Sequence, residues 1–128
     1  MLDFSAILQK YKKIILVDDE PGVISALSLL LKAFGFEVIS FTNPNQAWDE
    51  ISRNNNNLLV LSDLRMPEMT GQDLLEICKS SYPDLTFIMM SGHADEDDIQ
   101  LAMDAECNAF LRKPFSPKDF HTELTKLI

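Results

Sequence analysis

Cysteine is scarce in this chain: Cys78 and Cys107 are the only two among 128 residues. They stand far apart, and no Cys-x-x-Cys occurs. Neither His93 nor His121 completes a set with metal-ligand spacing. A disulfide framework or a zinc site is therefore not expected, and the thiols read as buried and free in a reducing compartment. No apolar run reaches the roughly 20 residues that cross a bilayer. The opening MLDFSAILQKYKK carries Asp3 early and only short apolar pieces, unlike a secretory signal. No membrane association is expected, and the expected location is the cytoplasm. Positive charge is short as well, with 11 Lys and Arg against 20 Asp and Glu, a net charge of -9 and a pI near 4.5. This balance argues against nucleic-acid binding by this chain alone, because phosphate backbones need a basic surface. It suits cations or basic partners. Neither a repeat nor an interdomain linker is visible, and the length fits one domain able to bury a core unaided.

What is present alternates. KKIILV (Lys12 to Val17) reads as a buried strand broken by DDEPG. A helix follows, with Val23, Leu27, Leu30, Leu31 and Phe34 at helical spacing, Pro21 at its start and Gly35 just past its end. FEVISF (Phe36 to Phe41) is a second strand. Asn43 caps the next helix, whose Ala47 and Ile51 share a face, and Trp48 lies there as a packing or surface residue. LLVLS (Leu58 to Ser62) is a third strand. Thr70 and Asp73 form an acidic capping box for the helix that carries Leu74, Leu75, Ile77 and Cys78. DLTFIMMS is a fourth strand, and ADEDDIQLAMDA is a helix with acids in its first turn, where they favour the macrodipole. NAFLR is a fifth strand. Ser116 and Pro117 then open a last helix with Phe120, Leu124, Leu127 and Ile128 on its apolar face. Met66, Met69, Met89, Met90 and Met103 read mostly as core and loop filling. Short apolar strands separated by helices predict an α/β doubly wound, five-stranded parallel sheet with helices on both faces.

Ligands in such sheets bind beyond the carboxyl ends of the strands, at the switch point of the strand order. The first strand ends at Asp18 and Asp19, the third at Asp63, the fourth at Ser91 and the fifth at Lys113. In the flavodoxin-like order 2-1-3-4-5 the first and third strands are neighbours, so three carboxylates share one pocket with an ammonium and a hydroxyl beside them. Two unit charges about 4 Å apart repel by roughly 4 kcal/mol at an effective dielectric near 20, so packing alone would not assemble such a set. A divalent cation removes the conflict, and few protein oxygens suit Mg2+, which keeps several waters. A carboxylate beside it can act as a nucleophile toward a phosphoryl group.

At ILVDDEP, LVLSDLRMPEMTG, MMSGHA and FLRKPF the chain resembles the receiver domain of two-component response regulators, over residues 12–128. The resemblance implies that Asp63 accepts a phosphoryl group from a sensor histidine kinase or a histidine phosphotransfer protein. Asp19 would bind Mg2+ directly, with Asp18 contributing partly through water, Asp63 as a further ligand, and Arg65 giving its backbone carbonyl. Lys113 would pair with the phosphoryl group, Ser91 would move onto it, and Phe110 would be the aromatic switch. The Lys113-Pro114 bond would be cis. Arg65 and His93 would flank the path of the hydrolysing water and tune the lifetime of the phosphorylated state. Such a domain is a signalling phosphoacceptor that promotes its own phosphotransfer and dephosphorylation, with no small-molecule product. Its downstream protein or output domain would lie outside this chain. A phosphorylation-independent pseudo-receiver, acting as an interaction module, is the alternative. A haloacid-dehalogenase-like phosphatase would need Asp-x-Asp after the first strand, and an FMN binder a hydroxyl-rich loop where DDEPG stands.

Two features stand outside that pattern. Glu106 and Cys107 replace the Gly-Ala common before the fifth strand, so a left-handed turn there would strain Glu106. Residues 1–11 form an N-terminal extension whose Phe4, Ile7, Leu8 and Tyr11 share one helical face. A short helix packed on the domain, an oligomer contact and a frayed tail are its three readings.

Overall fold

Side chains of a strand point alternately to two faces, so a sheet built from continuously apolar strands must be covered twice. The computed structural model, which describes residues 2–128, meets this need with a single parallel sheet. Its strands are β1 (Lys13–Val17), β2 (Glu37–Phe41), β3 (Leu58–Asp63), β4 (Thr86–Ser91) and β5 (Ala109–Arg112), in the order β2-β1-β3-β4-β5. The helices are α1 (Ser5–Lys10), α2 (Pro21–Ala33), α3 (Pro44–Arg53), α4 (Gly71–Ser81), α5 (Glu96–Asp104) and α6 (Pro117–Thr125). Ile15, Val17, Val60, Phe87 and Met89 face α3, α4 and α5, where Ala47, Ile51, Leu74, Leu75, Cys78 and Ala102 close one core. Their chain neighbours Ile14, Leu16, Leu59, Leu61, Ile88 and Met90 face α1, α2 and α6, where Ile7, Leu31, Phe120 and Leu124 close the other. The predicted doubly wound architecture and strand order are thus observed.

The helix starts follow local chemistry. The Asn43 side chain accepts from Asn45 N, and Thr70 with Asp73, Asp95 with Asp98 and Ser116 with Asp119 each form a reciprocal capping box. Two helix ends share one motif with different residues. At the end of α2 the N–H of Phe36 donates to Leu31 O and that of Gly35 to Lys32 O. At the end of α5 the N–H of Cys107 donates to Ala102 O and that of Glu106 to Met103 O. This pair of bonds needs a left-handed residue at the turn. Gly35 supplies it at φ 110°, and Glu106 is held there at φ 68°.

Helix α1 is too short to persist by itself. Phe4, Ile7 and Tyr11 are almost fully buried, so packing holds it. The Phe4 ring stacks on Phe34 at 4.3 Å and meets His121 edge-on at 5.0 Å. Lys10 Nζ donates to Leu127 O at 2.7 Å, a His121 ring nitrogen lies 2.8 Å from Asp3 O, and Thr86 Oγ1 donates to the Tyr11 hydroxyl at 2.9 Å.

The structure adds detail to the sequence reading. β2 is an edge strand, and Val38, Ile39 and Phe41 are only partly covered. Met103 is exposed on α5, whereas Met66, Met89 and Met90 are buried. Trp48 is half-buried beside Tyr82, with ring centroids 6.0 Å apart. Both cysteines are free and buried, and burial pushes the Cys78 thiol up to about 12 and Cys107 upward too.

Two stability outcomes follow. Phe4→Ala should lower the unfolding free energy by about 3 kcal/mol, the usual loss for a buried phenylalanine, read from the urea midpoint at constant slope. An unchanged midpoint would mean that α1 contributes nothing to the core. Glu106→Gly should raise the same midpoint, since the left-handed conformation costs an L-residue roughly 1–2 kcal/mol and glycine's added chain entropy offsets only about half of that.

Candidate functional site

The strand register builds the site before any side chain is considered. Val17 pairs with Ser62, so Asp18 and Asp63 emerge side by side from β1 and β3. Asp63 pairs with Met90, which sets Ser91 one step beyond it on β4. Ser91 pairs with Arg112, and Lys113 N donates to Ser91 O at 2.9 Å, so Lys113 leaves β5 at the same level. The loop after Asp63 is clamped by Gly71, whose N–H donates to Leu64 O at 2.9 Å. A Cβ at Gly71 would overlap the Asp63 carbonyl oxygen and stand 2.7 Å from the Met89 sulfur. Only glycine lets α4 start this close to the strand end.

Asp18, Asp19 and Asp63 each offer a carboxylate oxygen within 4.8 Å of the others. Asp18 is fully buried, and both of its oxygens are engaged. One accepts from Glu20 N at 3.0 Å and the other from Lys113 Nζ at 2.9 Å. The same ammonium lies 3.3 Å from Asp63 Oδ1. Burial pushes the Asp63 carboxyl above its ordinary range; Lys113 opposes this and the Asp18 charge adds to it. For Lys113, burial favours the neutral amine, but the Asp18 hydrogen bond and the two carboxylate charges outweigh it and raise its pKa. One ammonium among three carboxylates leaves about two negative charges uncompensated, and all the donors are hard oxygens. This set fits a divalent cation.

Ser91 and Arg65 border the same cleft, of about 600 Å³. Ser91 is buried, and its hydroxyl accepts from His93 N at 3.2 Å. The Arg65 side chain turns to α5, with its guanidinium 2.6 Å from Asp98. His93 is exposed at the rim. Phe110 does not line this cleft. It is half-buried on β5 and borders a separate groove of about 510 Å³ with Pro114, Phe115 and Lys118. The Lys113-Pro114 bond is cis. Val23, Ala26, Leu27 and Phe115 give the acidic cleft an apolar wall, which the motif spacing did not reveal. Asp98 was also missed, because its link to Arg65 spans 33 residues of sequence.

Several known proteins are similar to this chain. The response regulator receiver domain family matches residues 14–125. A probable transcriptional regulator of Porphyridium aerugineum is 30% identical over 118 residues, covering 91% of this chain and 48% of that protein. The chain spans about half the length of the curated relatives it matches. The crystal structure of a response regulator receiver domain protein from Clostridium thermocellum is 30% identical, with a TM-score of 0.84 and coverage of 89% of this chain and 91% of that one. The solution structure of the beryllofluoride-activated NtrC4 receiver domain dimer is 27% identical, with a TM-score of 0.82 and coverage of 90% and 94%.

The acid cluster predicts a stability effect. A raised carboxyl binds its proton more tightly in the folded chain than in the unfolded one. The resulting stabilisation is complete below the ordinary value of 3.8 and is lost as pH rises through the raised value. At neutral pH the ionised Asp63 therefore opposes folding. Asp63→Asn should raise the melting temperature in the absence of divalent cations, and Mg2+ should then raise that of the native chain more than that of the variant. A lower melting temperature for Asp63→Asn would show that the Lys113 pairing dominates instead.

Proposed function

Because this chain belongs to the response regulator receiver domain family, we propose that it is a phosphoacceptor that takes a phosphoryl group on Asp63 and changes its partner surface in response. The observation that carries this reading is the placement of Asp63: a buried carboxylate at the lip of β3, beside Asp18 and Asp19, with Lys113 as the one cation paired to it among the described residues. The donor is a phosphohistidine on a sensor histidine kinase or a histidine phosphotransfer protein. Asp63 attacks phosphorus, the phosphorus–nitrogen bond of the donor breaks, and the imidazole leaves with the electron pair. Asp19 and Asp63, with Asp18 partly through water and the Arg65 carbonyl, would hold Mg2+. Asp18 suits the indirect role because its own oxygens already serve Glu20 and Lys113. When bound, the cation supplies neutralisation of the charge that converges on the acceptor.

Lys113 holds its ammonium where the transferred oxygens arrive. Ser91, on the neighbouring strand end, donates its hydroxyl to a phosphoryl oxygen, and Phe110 on β5 repacks as Ser91 moves. The adduct adds about -1.5 to -2 charges to an already acidic pocket, so these donors carry its stabilisation. Arg65 and His93 stand where the water that later hydrolyses the adduct approaches. The donor docks on the apolar wall formed by Val23, Ala26 and Leu27. The product is a changed surface read by a downstream protein or output domain, in the cytoplasm, the compartment that two unpaired thiols suit. Residues 12–128 form the receiver and 1–11 an extension, of which Phe4, Ile7 and Tyr11 are seated on it.

Intact mass after incubation with Mg2+ and acetyl phosphate tests the reading. One phosphoryl adduct is expected on the native chain, and none on Asp63→Asn or without Mg2+. No adduct from acetyl phosphate and none from a phosphohistidine donor, under conditions that label another receiver, would leave an interaction module in its place.

A further inference from the structure

Helix α5 is poorly anchored by apolar packing. Ala102 is its only fully buried side chain, while Leu101 and Met103 point into solvent. Polar ties hold it instead. Gln72 Nε2 donates to Leu101 O at 3.1 Å, Arg112 donates to Ala94 O at 3.0 Å, and Arg65 grips Asp98 at 2.6 Å. The last tie differs from the other two in its far end. Arg65 follows Asp63 by two residues and borders the same cleft, whereas Asp98 Oδ2 also accepts from Asp95 N at 3.1 Å and so closes the capping box of α5. One guanidinium therefore joins the acid site to the first turn of α5. That turn holds Glu96, Asp97 and Asp98 behind an Asp95 cap.

A guanidinium is always charged and prefers an anion with several oxygens in a plane-matched fork. The Asp98 carboxylate is such an anion, and so is a phosphoryl group, which carries more charge. The Arg65 side chain is largely exposed and free to swing, since its bond to Asp98 is the one partner it has among the described residues. We propose that Arg65 is exchanged between two anions, the Asp98 carboxylate in the resting chain and the phosphoryl group on Asp63, so that phosphorylation withdraws a tie from the N-terminus of α5. This rests on Asp63 being the acceptor and goes beyond it: the reporter is an ion pair with α5, distinct from the movement of Ser91 and Phe110. By linkage, whatever weakens the pair with Asp98 strengthens the hold of Arg65 on the phosphoryl group.

Beryllofluoride with Mg2+, a phosphoryl mimic, makes the exchange measurable without turnover. Asp98→Asn keeps an oxygen for the Asp95 N–H and removes the charge that competes for Arg65. It should bind the mimic about two- to five-fold more tightly, the range an exposed ion pair spans. The same change in an Arg65→Gln background should have no effect, and Asp97→Asn, one residue away on the same turn, should leave affinity unchanged. Amide exchange of Asp98 and Ile99 should accelerate when the native chain binds the mimic. In Arg65→Gln it should be fast already and indifferent to the mimic. Equal gains from Asp98→Asn with and without Arg65, or α5 amides that do not respond, would overturn the exchange while leaving the acceptor role intact. No uptake of the mimic by the native chain would overturn the acceptor role, and the exchange with it.

Discussion

One ammonium set against three carboxylates is the constraint around which this molecule is arranged. Lys113 reaches Asp18 and Asp63 together only because β1, β3, β4 and β5 run parallel and end at one level. Sliding any of those strands by one residue would swap the faces of all its side chains and carry its polar end residue out of the cleft. The two cores therefore do more than stabilise the sheet. Ile15, Val60 and Phe87 on one face, and Ile14, Leu61 and Ile88 on the other, fix the register that keeps the charges together. The acids oppose folding and the cores favour it, an ordinary arrangement for a site whose ground state is meant to be unsatisfied.

The elements that surround the site divide into firm and loose. α4 begins against the Asp63 carbonyl, with Gly71 as the only residue that fits, so its start is pinned to the strand end. α5 packs beside it on the same face of the sheet, with one fully buried side chain and a first turn crowded by acids. A charge added at the lip of β3 therefore stands near one closely fitted helix start and one lightly held helix. The proposed response of α5 accords with that difference, since local stability decides which element moves.

Sequence made most of this legible, and the limits have physical causes. Strand ends could be placed because each apolar run stops at a polar residue, and Asp18, Asp63, Ser91 and Lys113 then fall at one edge by topology. The left-handed turn at Glu106 was anticipated only as a condition, from the Gly-Ala that the resemblance puts there, and the Schellman arrangement that requires it comes from the structure. The half-exposure of Val38 and Ile39 was hidden, since β-branched runs look alike in central and edge strands. Asp98 was hidden for a different reason. Acids in a helix's first turn already have a local explanation, and nothing in the sequence says that one of them also meets Arg65. The three readings of the N-terminal extension could not be separated from an amphipathic pattern that all of them share, and the seat of Phe4 among Phe34, Phe36 and Phe120 is long-range information.

That seat also orders events during synthesis. The contacts of α1 and of the residues just before it are long-range: Lys10 to Leu127 across 117 residues, and the Asp3 carbonyl to His121 across 118. A ribosome releases Phe4 well before Phe120, so the segment of α1 is made long before it is secured. Until α6 emerges, the aromatic face of the α1 segment has no complete partner and stands open to chaperones or to neighbouring nascent chains. Closure of α1 on α6 then ties together two helices that are far apart in sequence.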